Sequence, residues 1–252
     1  MSALLAVEDV VVSYEGYRAL DGISLTVQAG AIQSLIGPNG AGKSTLLDAI
    51  IGRVRPSAGR ITFKGEDLRA LPEFEIVRHG ICRKFQTPGV LDALTIEDNL
   101  VVAATRDRRS WRALRARPSA AERARVDEVL EIIGLSAKRA LPAAYLAHGE
   151  KQWLEIGMVV ASGAELLLLD EPAAGMTHRE AEATATLIRS LAGRHALIVI
   201  DHDMDFIAQL ASPVAVLHQG QLLTSGTIDT VRADPRVAAV YLGRANELHA
   251  RA

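Results

Sequence analysis

The sequence predicts an α/β fold, a mostly parallel sheet with flanking helices, and three features predict it. The last third alternates short apolar runs with helical stretches: strand Leu166–Leu169, helix Glu180–Ala192, strand Ala196–Ile200, helix Met204–Ala211, strand Val214–His218. Strands that alternate with helices build parallel sheets, because each crossover helix carries the chain back across the sheet face. An apolar run at Ile32–Ile36 leads directly into a glycine-rich loop and then a helix. The first third is otherwise strand and turn, so an antiparallel part is expected beside the parallel one.

Taken in order, Leu4–Tyr14 and Ile23–Val27 are rich in β-branched residues, and Ile61–Phe63 leads into a turn at Lys64-Gly65-Glu66-Asp67. Thr45–Ile51 has helical composition and stops at Gly52, a natural C-terminal cap. From about Thr95 to Val160 the pattern is helical. Within it, Arg106 to Arg125 carries eight arginines, with Pro118 as a break. Such a segment reads either as a solvated, salt-bridged helical surface or as a basic face for anionic lipid or an acidic partner loop. No internal repeat or low-complexity tract is visible.

Bulk properties narrow the function. At 252 residues the chain is long enough for one large domain with a small subdomain. A net charge of −2 speaks against a nucleic-acid binder working through a broadly basic surface. One cysteine, Cys82, allows no intrachain disulfide and no cysteine metal cluster, which fits a reducing cytosol. Met1–Tyr14 reads as a strand and not as a targeting leader, and no uncharged apolar run reaches the roughly 18 residues a membrane helix needs. A membrane role is therefore expected only through a partner.

Gly37-Pro38-Asn39-Gly40-Ala41-Gly42-Lys43-Ser44-Thr45 fits GxxxxGK[ST] at every fixed position, between a strand and a helix. Glycines let successive backbone N–H groups turn toward phosphate oxygens, and the helix N-terminus adds positive potential. In that setting Lys43 reaches the β- and γ-phosphates and Ser44 is a ligand for Mg²⁺. A chance glycine turn before a helix is the alternative, and the full match in the right context makes it a rare one. The stretch is read as a nucleotide site, and the loop alone does not separate a P-loop ATPase core from a GTPase or a kinase.

Leu166-Leu167-Leu168-Leu169-Asp170-Glu171 supplies the second half of the site. Four apolar residues make a buried parallel strand, and carboxylates at its C-terminal edge face the ligand crevice. Asp170 is expected to hold Mg²⁺ and Glu171 to act as general base on the attacking water. No Asn-Lys-x-Asp guanine-reading motif is present, so ATP is expected over GTP. His202 follows the strand Ala196–Ile200 and is placed to meet the γ-phosphate, although a lone histidine at a strand end is more often structural.

These residues together resemble an ATP-binding subunit of an ABC transporter over nearly the whole chain. The resemblance implies that Tyr14 stacks on adenine, that Gln86 in Phe85-Gln86-Thr87 touches Mg²⁺ or the attacking water and senses the membrane partner, and that His202 is the switch histidine. Leu146-Ala147-His148-Gly149-Glu150 resembles the signature motif, usually Leu-Ser-Gly-Gly-Gln, which closes on ATP held by the other subunit; Ala174-Gly175-Met176-Thr177 stands where the D-loop begins. It implies one ABC ATP-binding domain over residues 1–252. Residues 1–87 and 161–252 would form the ATP-binding core with an antiparallel β-subdomain, and 88–160 an inserted α-helical subdomain carrying the signature. It also implies a second ATP-binding subunit, integral membrane permease subunits and, indirectly, a periplasmic substrate-binding protein, with the chain peripheral on the cytoplasmic face of the inner membrane. No nucleic acid is expected.

Val240-Tyr241-Leu242-Gly243 is similar to the C-terminus of branched-chain amino acid and urea importer ATPases. His148 within the signature, Lys151-Gln152-Trp153-Leu154-Glu155-Ile156-Gly157-Met158, Arg83-Lys84-Phe85-Gln86-Thr87-Pro88 and Val216-Leu217-His218-Gln219-Gly220 resemble most the urea-importer subunit of that group. Urea is the expected solute on that ground, with branched-chain amino acids, or a soluble ABC ATPase uncoupled from transport, as alternatives. Ala147 and Glu150 depart from the signature's serine and glutamine, His178 stands where the D-loop region commonly has an acid, and Asp201 replaces a usual glutamate before the switch histidine.

Overall fold

The computed structural model describes residues 3–84, 89–105 and 118–241. The chain opens on an antiparallel hairpin, β1 (Leu5–Tyr14) and β2 (Tyr17–Val27). Glu15 and Gly16 turn it with φ of 47° and 92°, the two positive values a type I′ turn requires. β2 reaches further back than the Ile23–Val27 expected, because Gly22 at φ 78° and repeated register shifts against β1 break the alternation that marks a strand in sequence. β4 (Ala58–Phe63) pairs with the other edge of β1, and β5 (Glu66–Asp67) follows a tight turn at Lys64-Gly65. Of the four residues expected as turn, the last two are already strand. The order in this sheet is β2-β1-β4-β5.

The second sheet has six strands: β3 (Ile32–Ile36), β6 (Ile81–Lys84), β7 (Leu166–Asp170), β8 (Ala196–Ile200), β9 (Val214–His218) and β10 (Gln221–Gly226), in the order β10-β9-β3-β8-β7-β6. All neighbours are parallel except β10, which is antiparallel to β9. Every residue of β7 and β8 is buried, and the two faces alternate between two cores. Leu167, Leu169, Leu197 and Val199 pack under the helices with Leu100, Leu130 and Leu154. Leu166, Leu168, Ile198 and Ile200 face α1 (Lys43–Ile50) and the antiparallel sheet with Leu46, Ile50, Val12 and Phe63.

α1 starts at Lys43, two residues before the expected Thr45, because Gly42 is its N-cap; Gly52, just past its end, has φ 77°, the expected left-handed stop. The expected helical stretch contains α3 (Ile96–Ala104), α4 (Ala120–Ile132) and α5 (His148–Ala161), which pack on one another. Lys84 at the end of β6 and Glu155 on α5 form a buried ion pair at 3.2 Å that ties this bundle to the parallel sheet. Most of the arginine-rich segment lies outside the described residues. α6 (His178–Leu191) begins two residues before the expected Glu180, capped by Thr177, and α7 (Met204–Gln209) ends two residues before the expected Ala211. α2 (Glu73–His79), β6, β10 and α8 (Ile228–Ala233) have no counterpart in the sequence reading.

Candidate active site

Parallel pairing sets three C-terminal strand ends side by side, with β8 between β3 and β7. The glycine-rich loop leaves β3, Asp170 ends β7 with Glu171 next, and Asp201-His202 follows β8. The residues expected to act therefore lie at the edge where open parallel sheets bind ligands.

The loop is held in a shape only glycine permits. A Cβ at Gly37 would stand 2.2 Å from the Leu217 carbonyl oxygen, and one at Gly42 (φ 103°) 2.6 Å from that of Ala19. The first turn of α1 has no side-chain cap and no acidic residue, so its N–H groups and dipole are available to an anion. Lys43, nearly buried, donates to the carbonyls of Gly37 at 2.6 Å and Pro38 at 2.9 Å. Ala41 accepts from the N–H of Gly220, which anchors the loop to the β9–β10 turn.

The loop floors a cleft of about 450 Å³ lined by Tyr14, Tyr17, Ala19, Asn39, Gly40, Gly42, Lys43, Ser44, Thr45, Asp170 and Glu171. Gly37, Pro38 and Ala41 lie within the loop but outside that lining. Asp170 is 2% exposed, and its Oδ2 accepts from the Arg83 guanidinium at 2.9 Å. Glu171 has φ 47°, and its N–H bonds the Ile200 carbonyl at 2.8 Å. His202 reaches over from β8, with Nδ1 3.7 Å from Glu171 Oε1 and 3.6 Å from Asp201 Oδ1. Burial pushes the Asp201 carboxyl up from its ordinary value. The N–H of Asp203, the His202 ring and the His202 N–H oppose that shift, while Glu171 adds to it. Ser44 and Asp170 offer hard oxygen donors in one cleft, a set that fits Mg²⁺. No cluster of three or more His, Cys, Asp or Glu that could hold a metal occurs among the described residues.

A family model for ABC transporters matches residues 20–174, more than half of the chain. The chain belongs to the ABC transporter family. It is 35% identical over 253 aligned positions to the high-affinity branched-chain amino acid transport ATP-binding protein LivG of Salmonella typhimurium, covering 96% of this chain and 98% of that protein. The corresponding BraF of Pseudomonas aeruginosa is 32% identical over 251 positions, with 96% and 98% covered. Among solved structures, the ADP conformation of an ATP-binding cassette of an ABC transporter superposes with a TM-score of 0.86 at 28% identity, covering 96% of this chain and 100% of that one. A nucleotide-free cassette gives 0.84 at 28% identity, covering 95% and 99%. Members of this family bind ATP and couple its hydrolysis to transport, so this chain is an ABC ATPase with the α/β cassette fold read from its sequence. No helix of the described residues is long and apolar enough to cross a membrane.

Within this ABC ATPase, Leu146–Glu150 stand apart from the cleft, at the N-terminus of α5. Ala147 is the helix N-cap, and Glu150 accepts from its N–H at 3.2 Å while pairing with Lys138 at 2.5 Å. His148 Nε2 lies 3.0 Å from the Ala174 carbonyl oxygen, and Glu180 closes on Gly149, where a Cβ would stand 2.6 Å from Glu180 Oε1. Residues 146–150 are thereby joined to the segment that follows Glu171 and to the first turn of α6 in the same chain. Gln86 lies outside the described residues. Three site residues, Tyr17, Ala19 and Arg83, escaped the sequence reading. Tyr17 faces Tyr14 across the hairpin, a pairing that the two-residue Glu15-Gly16 turn signalled. Arg83 bonds Asp170 from a strand whose charged composition hid it.

Proposed function

We propose that this ABC ATPase binds Mg-ATP in the described cleft and powers an importer of the branched-chain amino acid class. The observation that carries the reading is the convergence of Lys43, Ser44, Asp170 and Glu171 with Tyr14 in one cleft. Lys43 and the loop N–H groups take the β- and γ-phosphates, and Tyr14 stacks on adenine. Ser44, Asp170 and Gln86 are the groups that would hold Mg²⁺, which neutralises charge developing on the phosphates. Glu171 orients and deprotonates the attacking water, and His202, held beside it, meets the γ-phosphate.

Leu146, Ala147, His148, Gly149 and Glu150 serve the ATP of a second ATP-binding subunit in a head-to-tail dimer. None of them lines this chain's own cleft, which supports that assignment. Residues 88–160 act as the helical subdomain and 1–87 with 161–252 as the core, a division supported by the mutual packing of α3, α4 and α5. Integral permease subunits hold the dimer at the cytoplasmic face of the inner membrane, and a periplasmic binding protein delivers the solute.

The solute expected from sequence was urea, and the relatives reported above are instead branched-chain amino acid subunits. Two residues of the urea-like stretch are turned inward: Trp153 Nε1 donates to Thr184 Oγ1 at 2.8 Å, and Glu155 pairs with Lys84. Trp153 ties α5 to α6 and Glu155 ties it to β6, so packing within the fold accounts for both positions. Reconstitution with the cognate permeases and binding protein in proteoliposomes tests the reading through phosphate release. Stimulation by binding protein loaded with leucine, isoleucine or valine is the expected result. Stimulation by urea alone would return the assignment to urea, and insensitivity to every loaded binding protein would overturn coupled import.

A further inference from the structure

One buried cation in the site has no part in the mechanism above. Arg83, on β6, is almost completely covered, yet it spans two carboxylates from distant parts of the chain. Nη1 donates to Asp48 Oδ1 at 2.6 Å, on the helix that begins with Lys43 and Ser44, and Nη2 donates to Asp170 Oδ2 at 2.9 Å. The Arg83 side chain is 6% exposed, that of Asp170 2% and that of Asp48 29%. An isolated carboxylate buried as deeply as Asp170 is strongly disfavoured in its charged form, and a guanidinium fork is the side chain best shaped to offset that through paired bonds.

We propose that Arg83 is a positioning residue for Asp170: it stands in as counter-cation to the metal-binding carboxylate, and through Asp48 fixes that carboxylate to the helix of the phosphate loop. This rests on the reading of Asp170 as a metal carboxylate and deepens it. The trio Asp48, Arg83 and Asp170 carries a net charge of −1. Without Arg83 it carries −2, and without the Asp48 charge it carries none. Metal-free ATP has a charge near −4 and Mg-ATP near −2, so any change in the trio's charge moves the free energy of metal-free ATP about twice as far. The trio thus sets how strongly nucleotide binding depends on Mg²⁺, and a role confined to holding the fold together would not separate the two ligands.

The experiment measures the affinity of a fluorescent ATP analogue, with Mg²⁺ and with EDTA, for wild type, Arg83→Met, Arg83→Lys and Asp48→Asn. The ratio of the metal-free to the Mg-bound dissociation constant is expected to rise about tenfold in Arg83→Met and to fall by a similar factor in Asp48→Asn. Arg83→Lys keeps the charge and so holds the ratio near wild type. It cannot bridge both carboxylates, so its turnover falls. Ratios that stay at the wild-type value in both Arg83→Met and Asp48→Asn would overturn the proposal. If Arg83→Met does not fold, Asp48→Asn decides alone: a lowered ratio supports the proposal and an unchanged one overturns it. Lys43→Ala, measured alongside, separates the two failures: Mg-ATP affinity at the wild-type value in that variant would overturn the reading of the cleft, an outcome distinct from these.

Discussion

Replacing Ala147 by serine puts a hydroxyl at a position whose backbone is already set to use it. Ala147 caps α5 with φ −62° and ψ 162°. Three other helices have N-caps within a few degrees of that conformation: Thr95 (−66°, 162°), Ser119 (−60°, 162°) and Thr177 (−67°, 161°). In each, the hydroxyl accepts from the N–H three residues on, at 3.0, 3.2 and 3.4 Å. At α5 only the reverse half of the box exists, with Glu150 accepting from the Ala147 N–H. A serine completes it, and a hydroxyl in place of alanine at an N-cap is worth about 1 kcal/mol. For a chain of this size that is a rise in melting temperature of roughly 2–4 °C, read by calorimetry without nucleotide. A melting temperature equal to or below wild type would refute the capping argument.

The same hydroxyl has a second use in the proposed dimer. A hydroxyl accepts through oxygen and donates through its proton, so capping Glu150 leaves the proton for the partner's γ-phosphate. A hydrogen bond to a charged group contributes about 1.5–3 kcal/mol, which is about ten- to a hundredfold in rate if it strengthens in the transition state. Ala147→Ser should therefore raise phosphate release by the complex, and more so by a homodimer, where both sites gain it. A stabilised protein with unchanged turnover in both assemblies would mean that the hydroxyl caps the helix and limits nothing else.

Lys43→Ala should abolish tight ATP binding, whereas Glu171→Gln should keep it, stop turnover and trap an ATP-bound dimer. A monomeric elution of Glu171→Gln with Mg-ATP and its partner subunit would count against the sandwich arrangement. Tyr14→Ala should raise the ATP concentration for half-maximal activity at nearly constant maximal rate, because stacking on adenine is the same before and at the transition state. A lower maximal rate at unchanged apparent affinity would refute it. Lys84→Met should lower stability by about 3–5 kcal/mol by stranding the buried Glu155, and Lys84→Met with Glu155→Leu should recover most of that. Denaturant unfolding showing the double variant no better than the single would contradict the buried-pair account.

The parts legible in the sequence were those written in local patterns. The glycine spacing of residues 37–45, the four leucines before Asp170 and the apolar run before His202 each mark a strand end by itself, and the structure brings them to one edge. β6 was illegible because half of it is Arg83 and Lys84, charges that no apolar strand pattern contains and that Asp48, Asp170 and Glu155 neutralise from elsewhere in the chain. α2 escaped because Ile76 is its one buried side chain. β10 escaped because none of its residues is buried. The urea expectation rested partly on side chains such as Trp153 and Glu155 that are engaged inside the fold, and the relatives favour the branched-chain alternative instead.

Glu171 carries one further consequence. A non-glycine residue at φ 47° costs about 1–2 kcal/mol relative to ordinary backbone, so the chain gives up stability to aim this carboxylate. Glycine at 171 would release that cost and remove the proposed base in the same step. A directed-evolution campaign scored by heat resistance alone would accept that exchange, and its hardiest clones would be silent at this position. Selection for robustness and selection for turnover point in opposite directions at residue 171, so a screen of variants there needs both readouts together.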